Sequence, residues 1–180
     1  MDVTFTRTGE RRYAVTIERP DGPAMIMHPA AGFHAQLPHD LVHLAVELEC
    51  GIALGVFGQV AAGGDAGTFH RADGTVDRKL RQRGKRLVKD HQDDLVRSET
   101  LAQRVTVAWL KGARPARDPD VERACARLDG LSARWSSVEV GESMTVAWAL
   151  SPPRRGTPSP ASRGHGRATP RRSPRPAPRR

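Results

Sequence analysis

Two histidines and an aspartate between residues 39 and 43 are the side chains in this sequence best suited to chemistry. The segment 37–43 reads LPHDLVH. In a helix, residues four positions apart lie on the same face. His39 and His43 can therefore reach one divalent metal ion, with Asp40 beside them as a candidate catalytic base. One interpretation of this spacing is a metal-binding hydrolase that uses zinc or another divalent ion.

The pattern His-Asp-x-x-His resembles the His-Glu-x-x-His motif of zinc peptidases, the zincins, over these five positions. Asp40 occupies the position of the zincin glutamate and is one methylene shorter. Because the glutamate polarises the metal-bound water in zincins, this difference argues against peptidase activity more than against metal binding. The His39-Asp40 doublet is also similar to that of the HD phosphohydrolases, which need a further histidine and a further aspartate on other helices.

A third metal ligand has to come from another part of the chain. Glu47 shares the flank of His39 and His43, but eight residues of helix rise about 12 Å, which is too far for one site. The remaining candidates are His28, His34, Asp65, His70 and His91.

A plainer interpretation assigns these side chains no chemistry. His39 is then a residue of the first helical turn, where the helix dipole also favours Asp40. His43 and Glu47 form an exposed pair one turn apart. The sequence leaves both interpretations open.

The net charge of +9 comes entirely from the C-terminal end of the chain. Residues 151–180 hold nine arginines and no acidic residue, so residues 1–150 hold 20 basic and 20 acidic residues. This balance argues against a generally basic nucleic-acid-binding domain. The composition predicts one α+β domain over 1–150 and a disordered Arg/Pro-rich tail over 151–180, which could bind nucleic acid weakly and without sequence preference.

Neither a transmembrane segment nor a signal peptide is expected, because the chain has no long apolar run and begins without a basic stretch followed by an apolar block. We therefore expect a cytoplasmic protein.

Alternation and helical spacing predict the elements that position these residues. The first 28 residues read as a three-stranded meander, and a helix begins near Pro38. A long polar helix is predicted over 76–110, a further helix after Asp118-Pro119, and a last strand over 144–150 that returns to the meander. The expected architecture is a small antiparallel sheet of three or four strands packed against about three helices.

Seven basic residues fall between positions 78 and 89. Because they cover several faces of the predicted helix, a solvated surface with internal ion pairs is favoured over a phosphate-binding patch. A glycine-rich loop is predicted over 61–75, and its stretch 63–68 is interpreted as a connector or lid rather than an anion cradle.

Several segments, LPHDLVH (37–43), GVFGQ (55–59), GGDAG (63–67) and LSARW (131–135), are similar to stretches of small bacterial proteins from GC-rich actinobacterial genomes. The resemblance covers most of residues 1–150 and excludes the tail. It implies a shared fold and brings no activity, cofactor or substrate. For function, a non-enzymatic interaction module with a protein partner is favoured, with the metal-dependent hydrolase as the alternative and tail-mediated nucleic-acid association as a lesser one.

Overall fold

The computed structural model describes residues 1–30, 36–115 and 117–151. In this part of the chain, five strands and five helices follow one another in the order β1 (Asp2–Gly9), β2 (Arg12–Glu18), β3 (Met25–Met27), α1 (His39–Glu49), α2 (Val56–Ala61), β4 (His70–Arg71), α3 (Arg78–Asp90), α4 (Gln92–Leu110), α5 (Pro119–Ser136) and β5 (Ser143–Ala147). The predicted α+β class is confirmed. Apart from Ser151, the predicted tail lies outside the described residues.

The strands form one antiparallel sheet in the order β4-β3-β2-β1-β5. The N-terminal meander is confirmed, and the last strand returns to pair with β1, as predicted. Side chains alternate between the two faces of a strand, so one face of the sheet is apolar. The buried side chains of that face are Val3, Phe5, Tyr13, Val15, Ile17, Met25, Met144 and Val146. The strand beyond the predicted three or four is β4, which has two residues and lies in the stretch expected to be a loop.

Helix α1 packs against α2, α4 and α5. Its buried residues include Leu41, Leu44 and Ala45, which recur at helical spacing on one face. Helix α5 begins as expected, with Asp118 as the N-cap and Pro119 as the first helical residue. The apolar residues that recur at helical spacing after Pro119 form its buried face: Val121, Ala124, Cys125, Leu128, Leu131 and Trp135.

The single long helix predicted over 76–110 is wrong. Helix α3 ends at Asp90, and His91 leaves the helical region with φ −129° and ψ 35° before α4 begins at Gln92. Asp93 and Asp94 then occupy the first turn of α4, where the positive end of the helix dipole favours carboxylates. The break turns α4 into a separate helix that packs against α1.

Among the described residues, no helix is both long enough and apolar enough to cross a bilayer.

Candidate metal centre

The two histidines of α1 meet at their ring nitrogens. Helix α1 begins at His39, directly after Pro38, and continues through His43 one turn later. Nε2 of His39 lies 3.0 Å from Nε2 of His43, and the ring planes are inclined by 83°. Both imidazoles therefore direct a nitrogen to the same point, as the spacing predicts.

A carboxylate from another helix completes the group. Oε2 of Glu99, on α4, lies 3.3 Å from Nε2 of His43. The ligand atoms of His39, His43 and Glu99 all lie within 4.8 Å of one another, and no other such trio occurs among the described residues. Ligand atoms on a tetrahedral zinc ion with bonds near 2.0–2.1 Å are about 3.3 Å apart. Two separations, 3.0 Å between His39 and His43 and 3.3 Å between His43 and Glu99, are close to this value. The trio as a whole spans up to 4.8 Å, so binding of an ion requires the Glu99 side chain, which is 69% exposed, to turn toward the histidines.

None of the described third-ligand candidates joins this trio. His70 lies in β4 opposite Ile26, and His91 lies between α3 and α4. Asp65 accepts a hydrogen bond within its own loop from the amide of Gly67. His28 is not among the three ligands either, and His34 lies outside the described residues.

The far side of the His43 ring is held by a second residue of α4. Nδ1 of His43 lies 3.1 Å from Oγ of Ser98, and this hydroxyl donates to Oε1 of Glu47 at 2.9 Å. Since the Ser98 proton is directed to Glu47, the tautomer assigned from these partners carries its proton on Nδ1. Nε2 then presents a lone pair toward the other two ligands, which is the arrangement common behind metal-bound histidines.

The His43 ring is almost fully buried, with 5% of its surface exposed. Burial, and secondly the neighbouring His39, lower the pKa of His43 to about 4. The ring is therefore neutral near pH 7, which is the form that binds a metal ion.

Glu47 is wholly buried, so the predicted exposed pair with His43 is wrong. Its carboxylate accepts hydrogen bonds from the amides of Val56 at 2.6 Å and Phe57 at 3.1 Å. These are the first two residues of α2, whose free amides attract an anionic group. Burial raises the pKa of Glu47 to about 8, although the hydrogen bonds from Ser98 and the α2 amides oppose that rise.

Gly55 makes room for this carboxylate. A Cβ atom at position 55 would lie 2.4 Å from both Cδ and Oε1 of Glu47. Any side chain here would therefore push Glu47 away from the start of α2 and from Ser98. The sequence shows a glycine at position 55, but it does not indicate that Glu47, eight positions earlier, requires it.

Asp40 makes a different contact from its histidine neighbours. Its Oδ2 accepts a hydrogen bond of 2.5 Å from the hydroxyl of Tyr13 on β2. Burial raises the pKa of Asp40, and burial together with the Asp40 charge raises the pKa of Tyr13. Asp40 is not one of the three candidate ligands, and its role as a base stays a prediction.

Comparisons of the chain with protein-family models, curated proteins and solved structures gave no match. The case for a function therefore depends on the geometry of His39, His43 and Glu99 and on the residues that hold them.

Proposed function

We propose that this protein binds a divalent transition metal ion, with zinc as the principal candidate. The ligands are Nε2 of His39, Nε2 of His43 and a carboxylate oxygen of Glu99. The observation that carries the proposal is the convergence of these three atoms within 4.8 Å of one another. The contact between Ser98 and Nδ1 of His43 supports it, because it leaves the lone pair of His43 on Nε2.

The donor set favours zinc over the alkaline-earth ions. Two imidazoles and one carboxylate are typical of catalytic zinc, which keeps its fourth position for water. Calcium and magnesium prefer sites built from oxygen atoms. Iron(II) also accepts two histidines and one carboxylate, so it is the competing ion that a binding experiment has to include.

A zinc ion held by three protein ligands keeps an open coordination position, where it can activate a water molecule. Zinc lowers the pKa of its bound water to about 7, which supplies hydroxide at neutral pH. Hydrolysis at a metal-bound water is therefore the enzymatic activity that we propose. Asp40 remains the base proposed from its spacing, although the Tyr13 hydroxyl bonded to its Oδ2 competes with that role.

A metal titration of the full chain tests the site. Zinc is titrated against a chromophoric chelator, with the Glu99→Gln and His39→Gln variants beside the unaltered protein. The Glu99 side chain is 69% exposed, so its replacement leaves the core intact. Glu122→Gln, which changes an exposed glutamate of α5, is the matched control.

We expect one zinc ion per chain, weaker binding in both ligand variants and unchanged binding in Glu122→Gln. Magnesium in excess should not displace the zinc. Binding below about 0.1 equivalent, or equal binding in Glu99→Gln and the unaltered chain, would overturn the proposal. Stronger retention of iron(II) than of zinc under anaerobic conditions would reassign the metal.

A further inference from the structure

A groove opens beside the proposed metal site and shares two of its ligands. Its walls come from four helices, and its volume is about 610 Å³, within the range of roughly 300–1,000 Å³ that holds small molecules. The residues that line it are His43, Val56, Lys85, Val88, Lys89, Gln92, Leu95, Val96 and Glu99. A molecule in this groove would therefore meet the open coordination position of a metal held by His43 and Glu99.

The charges along the groove favour an anion. Two of the four lysines in the chain, Lys85 and Lys89, line it and lie one turn apart on the same face of α3. Neither forms an ion pair with any residue in the part of the chain that the structure describes. Glu99 is the acidic residue among the lining side chains, and a bound metal ion would neutralise it.

The rest of the lining is mostly apolar. Four aliphatic side chains, Val56, Val88, Leu95 and Val96, face the groove. Val96 is 56% exposed, and Val56, Val88 and Leu95 are half-buried. An anion that also carried an apolar group would cover this surface, whereas a bare inorganic ion would leave it exposed to water.

We infer that this groove binds a phosphate monoester with an apolar substituent. One phosphate oxygen occupies the open position of the metal, the remaining negative charge is balanced by Lys85 and Lys89, and the substituent lies against the aliphatic side chains. A dianion matches two lysine charges better than a carboxylate does. This inference rests on the proposed metal site, since the metal supplies one of the contacts.

Calorimetric titration of the zinc-loaded full chain with phenyl phosphate tests the inference. Inorganic phosphate and benzoate serve as comparison ligands, the first without an apolar group and the second with a single charge. The double variant Lys85→Gln/Lys89→Gln removes both groove lysines. Its matched control, Lys79→Gln/Lys111→Gln, removes the other two lysines of the chain, which are exposed and outside the groove.

We expect phenyl phosphate to bind more tightly than either comparison ligand. The groove variant should bind it about tenfold more weakly, because two charge-assisted contacts are lost. The control variant, with the same change in net charge, should bind it as the unaltered chain does. Zinc affinity, measured separately, should be the same in all three proteins.

The other outcomes separate the two proposals. A chain that holds zinc but does not bind phenyl phosphate overturns the groove assignment and leaves the metal site standing. Equal weakening in both lysine variants shows an effect of overall charge and also overturns it, as does tighter binding of benzoate. A chain that does not bind zinc overturns the metal site, and the groove assignment with it.

Discussion

The hydroxyl oxygen of Ser98, on α4, lies 3.1 Å from Nδ1 of His43, on α1, although the two residues are 55 positions apart in the sequence. Ser98 is wholly buried, and it links the ring of His43 to the carboxylate of Glu47. The orientation of a proposed metal ligand thus depends on a side chain that does not itself contact the metal.

Replacement of Ser98 by alanine should weaken zinc binding by about 10- to 100-fold, the usual effect of losing a hydrogen-bond partner behind a metal-bound histidine. The measurement is competition with a chromophoric chelator. Thr100→Ala, an exposed change two residues further along α4, is the control and should leave the affinity unchanged. Unaltered affinity in Ser98→Ala would show that Ser98 has no part in holding the ligand.

Gly55→Ala should destabilise the fold by about 2–4 kcal/mol, because a buried carboxylate loses its hydrogen bonds and a close-packed region must expand. The added methyl group would lie 2.4 Å from Oε1 of Glu47. Urea denaturation measures the free energy of unfolding, and zinc affinity should fall in the same variant as the contact between Glu47 and Ser98 is lost.

The matched control is Gly130→Ala in α5, where a Cβ atom meets no atom within 4 Å. It should stabilise the chain by about 0.5–1 kcal/mol, since alanine favours a helix over glycine. Similar effects of the two substitutions would contradict the role assigned to Gly55.

The buried carboxyl of Glu47 should make stability depend on pH. Burial raises its pKa from 4.5 to about 8 in the folded chain, so the folded state binds the proton more tightly than the unfolded state. The stability from this group is complete below about pH 4.5 and is lost as pH rises through about 8. The metal-free protein should therefore lose this contribution to the unfolding free energy between about pH 4.5 and about pH 8.

Glu47→Gln removes this titration. The unfolding free energy of the variant should therefore change less over the same pH range, whatever its absolute value. Urea denaturation at several pH values measures both slopes. Parallel slopes for the two proteins would show that Glu47 does not cause the pH dependence.

Tyr13→Phe should lower the free energy of unfolding, measured by urea denaturation, by about 1–3 kcal/mol, because it leaves the Asp40 carboxylate without the donor at its Oδ2. A double-mutant cycle with Asp40→Asn isolates the energy of this pair. Zinc affinity should be the same in all members of the cycle, since Asp40 is not among the candidate ligands. A loss of zinc binding in Asp40→Asn would place Asp40 at the metal.

Local spacing was sufficient to predict part of this site. His39 and His43 lie four residues apart on one helix, so their proximity follows from helix geometry alone. The buried face of α5 was readable for the same reason, because its apolar residues repeat at helical spacing.

The third ligand could not be found in the same way. Glu99 is one of three acidic residues on α4, and nothing in its surroundings in the sequence marks it as a ligand. It reaches the histidines because α4 is a separate helix packed against α1, and the break at His91 contains neither proline nor glycine. Glu47 was misjudged because its partners, the amides of α2 and Ser98, are brought to it by tertiary packing.

Strand β1 lies between β2 and β5, and its second partner comes very late in the chain, with Asp2 paired to Ala147. During translation, one side of β1 therefore has no partner until almost all of the described chain has left the ribosome. Throughout that time its free amides and carbonyls are available to strands of neighbouring nascent chains. Truncation before Ser143 would make this exposure permanent, so a chain that stops short of β5 should aggregate even though every residue of the proposed metal site has been synthesised.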